Sequence, residues 1–248
     1  MSEKESKDEE GVSAIAKALF WIVLFTLVAS AAYCAVRLAM APSRPAPGGG
    51  FEKLKSDYTL TLVECVLGIV VMFLPSMIQR AWHIAIPSFM YIAFVVFLYC
   101  AIYLGEMRNF YYKIANWDTV LHCFSGFMLG SLGFSIVQLL NDLEKVRIRM
   151  SSLFVAVFAF LFAIGLGLVW EIYEYSVDGL LGLNMQKFAL DDGTLLVGRG
   201  ALRDTMEDII IDSVSALAAS VVGYFSIRRN PKWIERITLK VKAGNSGR

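Results

Sequence analysis

Three short stripes of acidic residues hold the side chains of this chain best suited to chemistry. Asp118 and His122 stand four apart, Glu171, Glu174 and Asp178 follow at a spacing of three then four, and Asp204, Asp208 and Asp212 succeed one another every fourth residue. At helical spacing each set occupies one face, the last drifting by about 40° per step. Carboxylates joined by one imidazole form the donor set of a divalent cation, and oxygen-rich ligation of this kind suits Mg²⁺, Mn²⁺ or Ca²⁺ rather than Zn²⁺. The expected metal ligands are Asp118, His122, Glu171, Glu174, Asp208 and Asp212, with Glu64, Asp178, Gln186, Arg199, Arg203 and Asp204 as further members. Two other chemistries use the same groups: proton exchange at Glu171 or Glu174, and a purely structural ion-pair network with Arg108, Arg199 or Arg203.

These residues must be positioned by elements that are overwhelmingly apolar. Of 248 residues, 57% are hydrophobic, and the mean hydropathy is +0.59, more apolar surface than a soluble core of this length can hide. The charges are segregated, leaving apolar runs at 14–40, 58–79, 84–105, 118–140, 152–175 and 204–227. Each is long enough to cross a bilayer as a helix. The expected fold is therefore all-α, a polytopic transmembrane bundle of about six spans. An ionisable group at membrane depth costs several kcal/mol unless it is paired or meets water. The stripes are for that reason candidates for function.

Alternating spans bring the stripes together. The fourth span enters at Asp118, the fifth leaves near Asp178 and the sixth enters again near Asp204, all on one membrane face. At 1.5 Å per residue, His122 and Asp208 lie about 6 Å below their helix starts, Glu171 about 10 Å and Asp212 about 12 Å. Glu64, early in the second span, descends from the same face. Asp118 and Asp204 could also act as helix caps, an explanation that does not extend to the deeper Asp208 and Asp212.

The remaining sequence sets the frame. Residues 1–13 are charged and aperiodic, a disordered lead. Their acidic character, and the length of the run that follows, argue against a cleaved signal peptide. Residues 41–50 are rich in proline and glycine and read as a loop. Residues 106–117 mix Tyr, Trp, Arg and Lys as headgroup-level segments do, His83 reads as an interface residue, and the long connection 179–203 has a turn at Asp191-Asp192-Gly193. Residues 228–248 form a basic tail. Lys and Arg number fourteen on the side of the termini and nine on the other, which places both termini in the cytoplasm. The four cysteines show no metal or redox spacing. A net charge of +1, without a basic aromatic patch, excludes nucleic acid as a partner. Gly126 and Gly130, Ala216 and Ser220, Ala219 and Gly223, and Gly165 and Gly167 are small-residue positions suited to close helix packing.

The stretch Asp118-Thr-Val-Leu-His122 with Ser125-Gly126, then Trp170-Glu171-Ile-Tyr-Glu174, Gln186 and the Asp204, Asp208, Asp212 stripe resembles the YjdF-type inner-membrane proteins, and more remotely the VanZ-like family, over residues 115–224. The chain departs from that pattern at Ser215-Ala216 and in a longer loop from Lys187 to Leu202. The resemblance implies a cell-envelope context and no particular reaction. Together these features predict a multi-pass protein of the plasma membrane whose partners are membrane lipids. Its divalent-metal site would face outwards and act on an envelope lipid or lipid-linked phosphate. The alternatives are a proton- or cation-coupled transporter using the same carboxylates, and a structural or accessory subunit.

Overall fold

The computed structural model describes residues 3–44, 53–142, 150–190, 193–229 and 239–241. Helix α1 runs from Glu3 to Met40, α2 from Lys55 to Ala81, α3 from Ser88 to Leu98, α4 from Phe110 to Lys113, α5 from Trp117 to Asp142, α6 from Ser152 to Leu181 and α7 from Arg203 to Arg229. The third span continues from α3 as a π-helical segment, Tyr99–Met107. Six helical stretches are long and apolar enough to cross a membrane: Ala14–Met40, Lys55–Ala81, Ser88–Met107, Trp117–Leu140, Ser152–Leu181 and Arg203–Arg229. Backbone helix begins at Glu3, so part of the lead expected to be irregular carries helical geometry. The expected turn residues Asp191 and Asp192 and most of the basic tail lie outside the described residues.

The surface differs from that of a soluble domain. Trp21, Phe25, Val70, Met77, Val157, Leu161, Val214 and Leu217 are all exposed, while the buried residues include His122, Glu171, Glu174, Asp178, Asp208 and Asp212. An apolar exterior with the ionisable groups turned inward is what a hydrocarbon solvent selects. Two three-helix groups result. The first joins α1, α2 and α3 around Val23, Leu27, Cys65, Met72 and Val95. The second joins α5, α6 and α7 around Phe134, Val137, Val155 and Ala159. Stacking of Phe97 on Phe124 links the groups, with ring centroids 6.0 Å apart.

Small residues set the spacing in the second group. A Cβ on Gly126 would come within 2.2 Å of Ser215 Oγ, and one on Gly130 within 2.9 Å of the Ala219 Cβ. Gly223 makes room for the Phe134 ring. Gly165, expected to serve the same purpose, has nothing within 4 Å of an added Cβ, whereas Gly167 does pack closely. At the opposite membrane face from the acidic stripes, two residues of the tail form strand β2, Lys240–Val241. It pairs antiparallel with β1, Ile84–Ala85, in the register Ile84 to Val241 and Ala85 to Lys240.

Candidate functional site

The site forms where α5 and α7 begin and α6 ends. Its centre is His122, one turn into α5 from Asp118. Nε2 of His122 lies 3.7 Å from Oδ1 of Asp118 and 3.6 Å from Oδ2 of Asp208. One ligand atom from each of Asp118, His122 and Asp208 falls within 4.8 Å of the others, a separation that a single cation can bridge. Nδ1 of His122 faces Oδ2 of Asp212 at 3.4 Å. Ser125 steadies Asp212 by donating its hydroxyl to Oδ1 at 3.2 Å. Asp212 therefore backs the imidazole at charge-pair distance without a completed hydrogen bond to Nδ1, in the position from which carboxylates commonly orient metal-binding histidines, and it is not one of the three atoms grouped above.

Close approach of helices makes this geometry. A Cβ on Gly167 would meet Asp212 Oδ2 at 2.6 Å, and one on Gly126 would meet the Asp212 carbonyl at 2.9 Å. Glycines on α6 and α5 thus leave the space the carboxylate fills. Glu171 lies within electrostatic reach of His122, Asp204 and Asp212. Both its oxygens are buried without a hydrogen-bond partner among the described residues, and Thr205 stands nearby without completing one. An unsatisfied buried carboxylate is costly, so its lone pairs are available to a ligand. Glu174, one turn further along α6, is 9% exposed and lines the adjoining cavity.

The compensating cation is Lys187, which the sequence reading passed over. Its ammonium pairs with Asp118 Oδ2 and, at 3.2 Å, with Asp204 Oδ1, and lies 5.1 Å from the Tyr111 ring centroid. Burial opposes its charge, but Asp118 and Asp204 outweigh that cost and hold its pKa above the ordinary lysine value. Burial, reinforced by Glu64 and Asp118, pushes the Tyr111 phenol up, so the phenol stays neutral. Asp118 and Asp204 are thus ion-paired.

Other expected members have different places. Asp178 accepts the backbone N–H groups of Met185 at 2.8 Å and Gln186 at 3.0 Å. With Gly182 ending α6 in the left-handed conformation at φ 65°, it folds the connection back and delivers Lys187. Each of its oxygens is thus engaged by a backbone amide, and it is not among the three grouped ligand atoms. Gln186 donates to Thr205 Oγ1 at 2.9 Å. Arg199 is exposed, and Arg203 pairs with Glu207 at 2.6 Å on an exposed surface, so neither supplies the counter-charge expected of it. Arg108 is exposed as well. Glu64 faces the cluster across a cavity of about 400 Å³ between the helix groups, which Glu106 of the π-helical segment also lines. A wider helical turn often marks a functional position, but 106–117 reads as an interface segment from composition alone.

Residues 47–229 match the family described as "Predicted membrane protein (DUF2238)". The chain belongs to this family. It is an integral membrane protein, and the matched region contains every residue of the cluster. A Thermotoga maritima protein described as uncharacterized is 28% identical over 155 residues, covering 61% of this chain and 70% of that protein. No solved structure matches the chain.

Proposed function

We propose that this protein holds a divalent cation at Asp118, His122 and Asp208, and uses it on the phosphate of a lipid or lipid-linked envelope precursor. The observation that carries the reading is the convergence of three ligand atoms on one point beside the unpartnered buried carboxylate of Glu171. Six carboxyl groups gather here, Asp118, Glu171, Glu174, Asp204, Asp208 and Asp212, against Lys187 and His122. Such an excess of buried negative charge calls for a further cation. A hard ion at an oxygen-rich site would neutralise phosphate charge and activate water. Among the protein's own groups, Asp212 stands behind the imidazole, Glu171 is placed to accept a proton, and Lys187 holds Asp118 with one oxygen turned to the site.

The cavity continues from the cluster into a wall of Leu67, Val71, Phe94, Phe97 and Leu129. An apolar continuation supports a lipid chain rather than an ion path to the opposite face, which would need polar groups. Residence in the cytoplasmic membrane with both termini inside, and kinship with the YjdF type, complete the proposal. Manganese EPR titration of the purified protein tests the site, and manganese-dependent release of phosphate from a micellar lipid phosphate tests the reaction. Saturable Mn²⁺ binding and phosphate release, both lost in Asp208→Asn, are expected. A native protein that binds no Mn²⁺ would overturn the reading.

A further inference from the structure

The cavity has a second polar wall apart from the three proposed ligand atoms. Glu64 on α2 and Glu106 on the π-helical segment line it from the first helix group, and Glu174 lines it from the second. Glu64 is within electrostatic reach of both Glu106 and Glu174. The nearby lysines are committed elsewhere: Lys53 donates to the Glu106 carbonyl at 2.9 Å, and Lys187 to Asp118 and Asp204. No hydrogen bond or salt bridge reaches the carboxylates of Glu64 or Glu174 among the described residues. Glu174 in particular is nine-tenths buried and lines the cavity.

Carboxyl groups without a hydrogen-bond or ion-pair partner at the polar end of a cavity whose other end is apolar select a cationic head on an apolar body. We infer that the cavity binds an aminophospholipid of the phosphatidylethanolamine class, its primary ammonium on Glu64 and Glu174, its phosphate toward His122 and Lys187, and one acyl chain along Leu67, Phe94 and Leu129. The ammonium offers three donors to two carboxylates, which a quaternary choline head lacks, and a glycerol head brings no positive charge. A volume of about 400 Å³ is within the range of small-ligand sites and holds a head and part of one chain. The phosphate placement rests on the cation reading above. The ammonium placement does not.

Native mass spectrometry of the full chain in mild detergent separates the two. The protein is offered equal amounts of phosphatidylethanolamine, phosphatidylcholine and phosphatidylglycerol with matched chains, with EDTA or with Mn²⁺. Retention of the ethanolamine lipid about tenfold over the others, a difference of about 1.4 kcal/mol, is expected even in EDTA. That preference should vanish in Glu64→Gln, while Leu129→Trp, which fills the apolar end, should reduce retention of all three lipids. Both variants are compared with the native protein for monodispersity and melting temperature. Equal retention of the three lipids, or an unchanged preference in a folded Glu64→Gln, would overturn the inference. Selectivity in EDTA from a protein that binds no Mn²⁺ would sustain it and sink only the cation reading.

Discussion

Replacing Lys187 by Met removes one ammonium from two carboxylates and keeps most of the aliphatic stem against Tyr111. The side chains of Lys187, Asp118 and Asp204 are 27%, 23% and 21% accessible, so roughly three quarters of each is withdrawn from solvent. Breaking a fully buried ion pair from one side costs about 3–5 kcal/mol, and an exposed pair about 0–1. Partial accessibility places Lys187→Met at about 3 kcal/mol, between these limits. For a chain of this size that corresponds to a fall of about 6–12 °C in melting temperature, measured by differential scanning fluorimetry in detergent. The folded-state pKa of Lys187 lies above its ordinary 10.5. Its stabilisation is therefore complete below that value and is lost only as pH rises through the folded pKa, so Lys187 ionisation adds no slope between about pH 6 and 9. Lys187→Arg, which keeps the charge, should recover more than half of the loss. If Lys187→Met melts within about 2 °C of the native protein, the assignment of Lys187 as the counter-ion is wrong.

Gly167→Ala places a methyl 2.6 Å from Asp212 Oδ2 and should cost about 1–3 kcal/mol while weakening Mn²⁺ binding. Gly165→Ala, with no atom within 4 Å, should leave both unchanged, and equal effects at the two positions would contradict the packing argument. Asp178→Ala removes both hydrogen bonds that fold the connection after α6, a loss of about 1.5–3 kcal/mol for each. Hydrogen exchange at the Met185 and Gln186 amides should accelerate, and unaltered protection would show that something else holds this loop. Val197 is 84% exposed in the same connection. With Cys123 changed to Ser, Val197→Cys should react with an impermeant maleimide on intact cells, whereas protection would reverse the proposed orientation.

Much of the fold was legible because a membrane imposes a single coarse rule: a helix crosses it with about 20 apolar residues. The acidic stripes were legible for a related reason, since Asp208 and Asp212 have no place on a lipid-facing surface. Helical periodicity and alternating spans were then enough to bring α5, α6 and α7 to one face. Roles within the cluster depended on facts that periodicity does not carry. Lys187 reaches Asp118 across 69 residues, from a left-handed backbone position at φ 46°. Composition favoured Arg199 and Arg203, which lie on the wrong side of their segments. Asp178 fits the helical stripe, but both its oxygens accept from amides beyond the helix end. Glu106 was hidden because a π-helical segment changes the register at which side chains return to a face.

The central claim is that Asp118, His122 and Asp208 gather in order to hold a cation. Elemental analysis tests it most directly, on native protein purified without chelator under conditions that preserve weakly held ions, beside an Asp208→Ala, Glu171→Ala double variant. The account predicts about one divalent ion per chain in the native protein and its loss from the double variant. A native protein free of stoichiometric metal, or a double variant that retains it, would contradict the account.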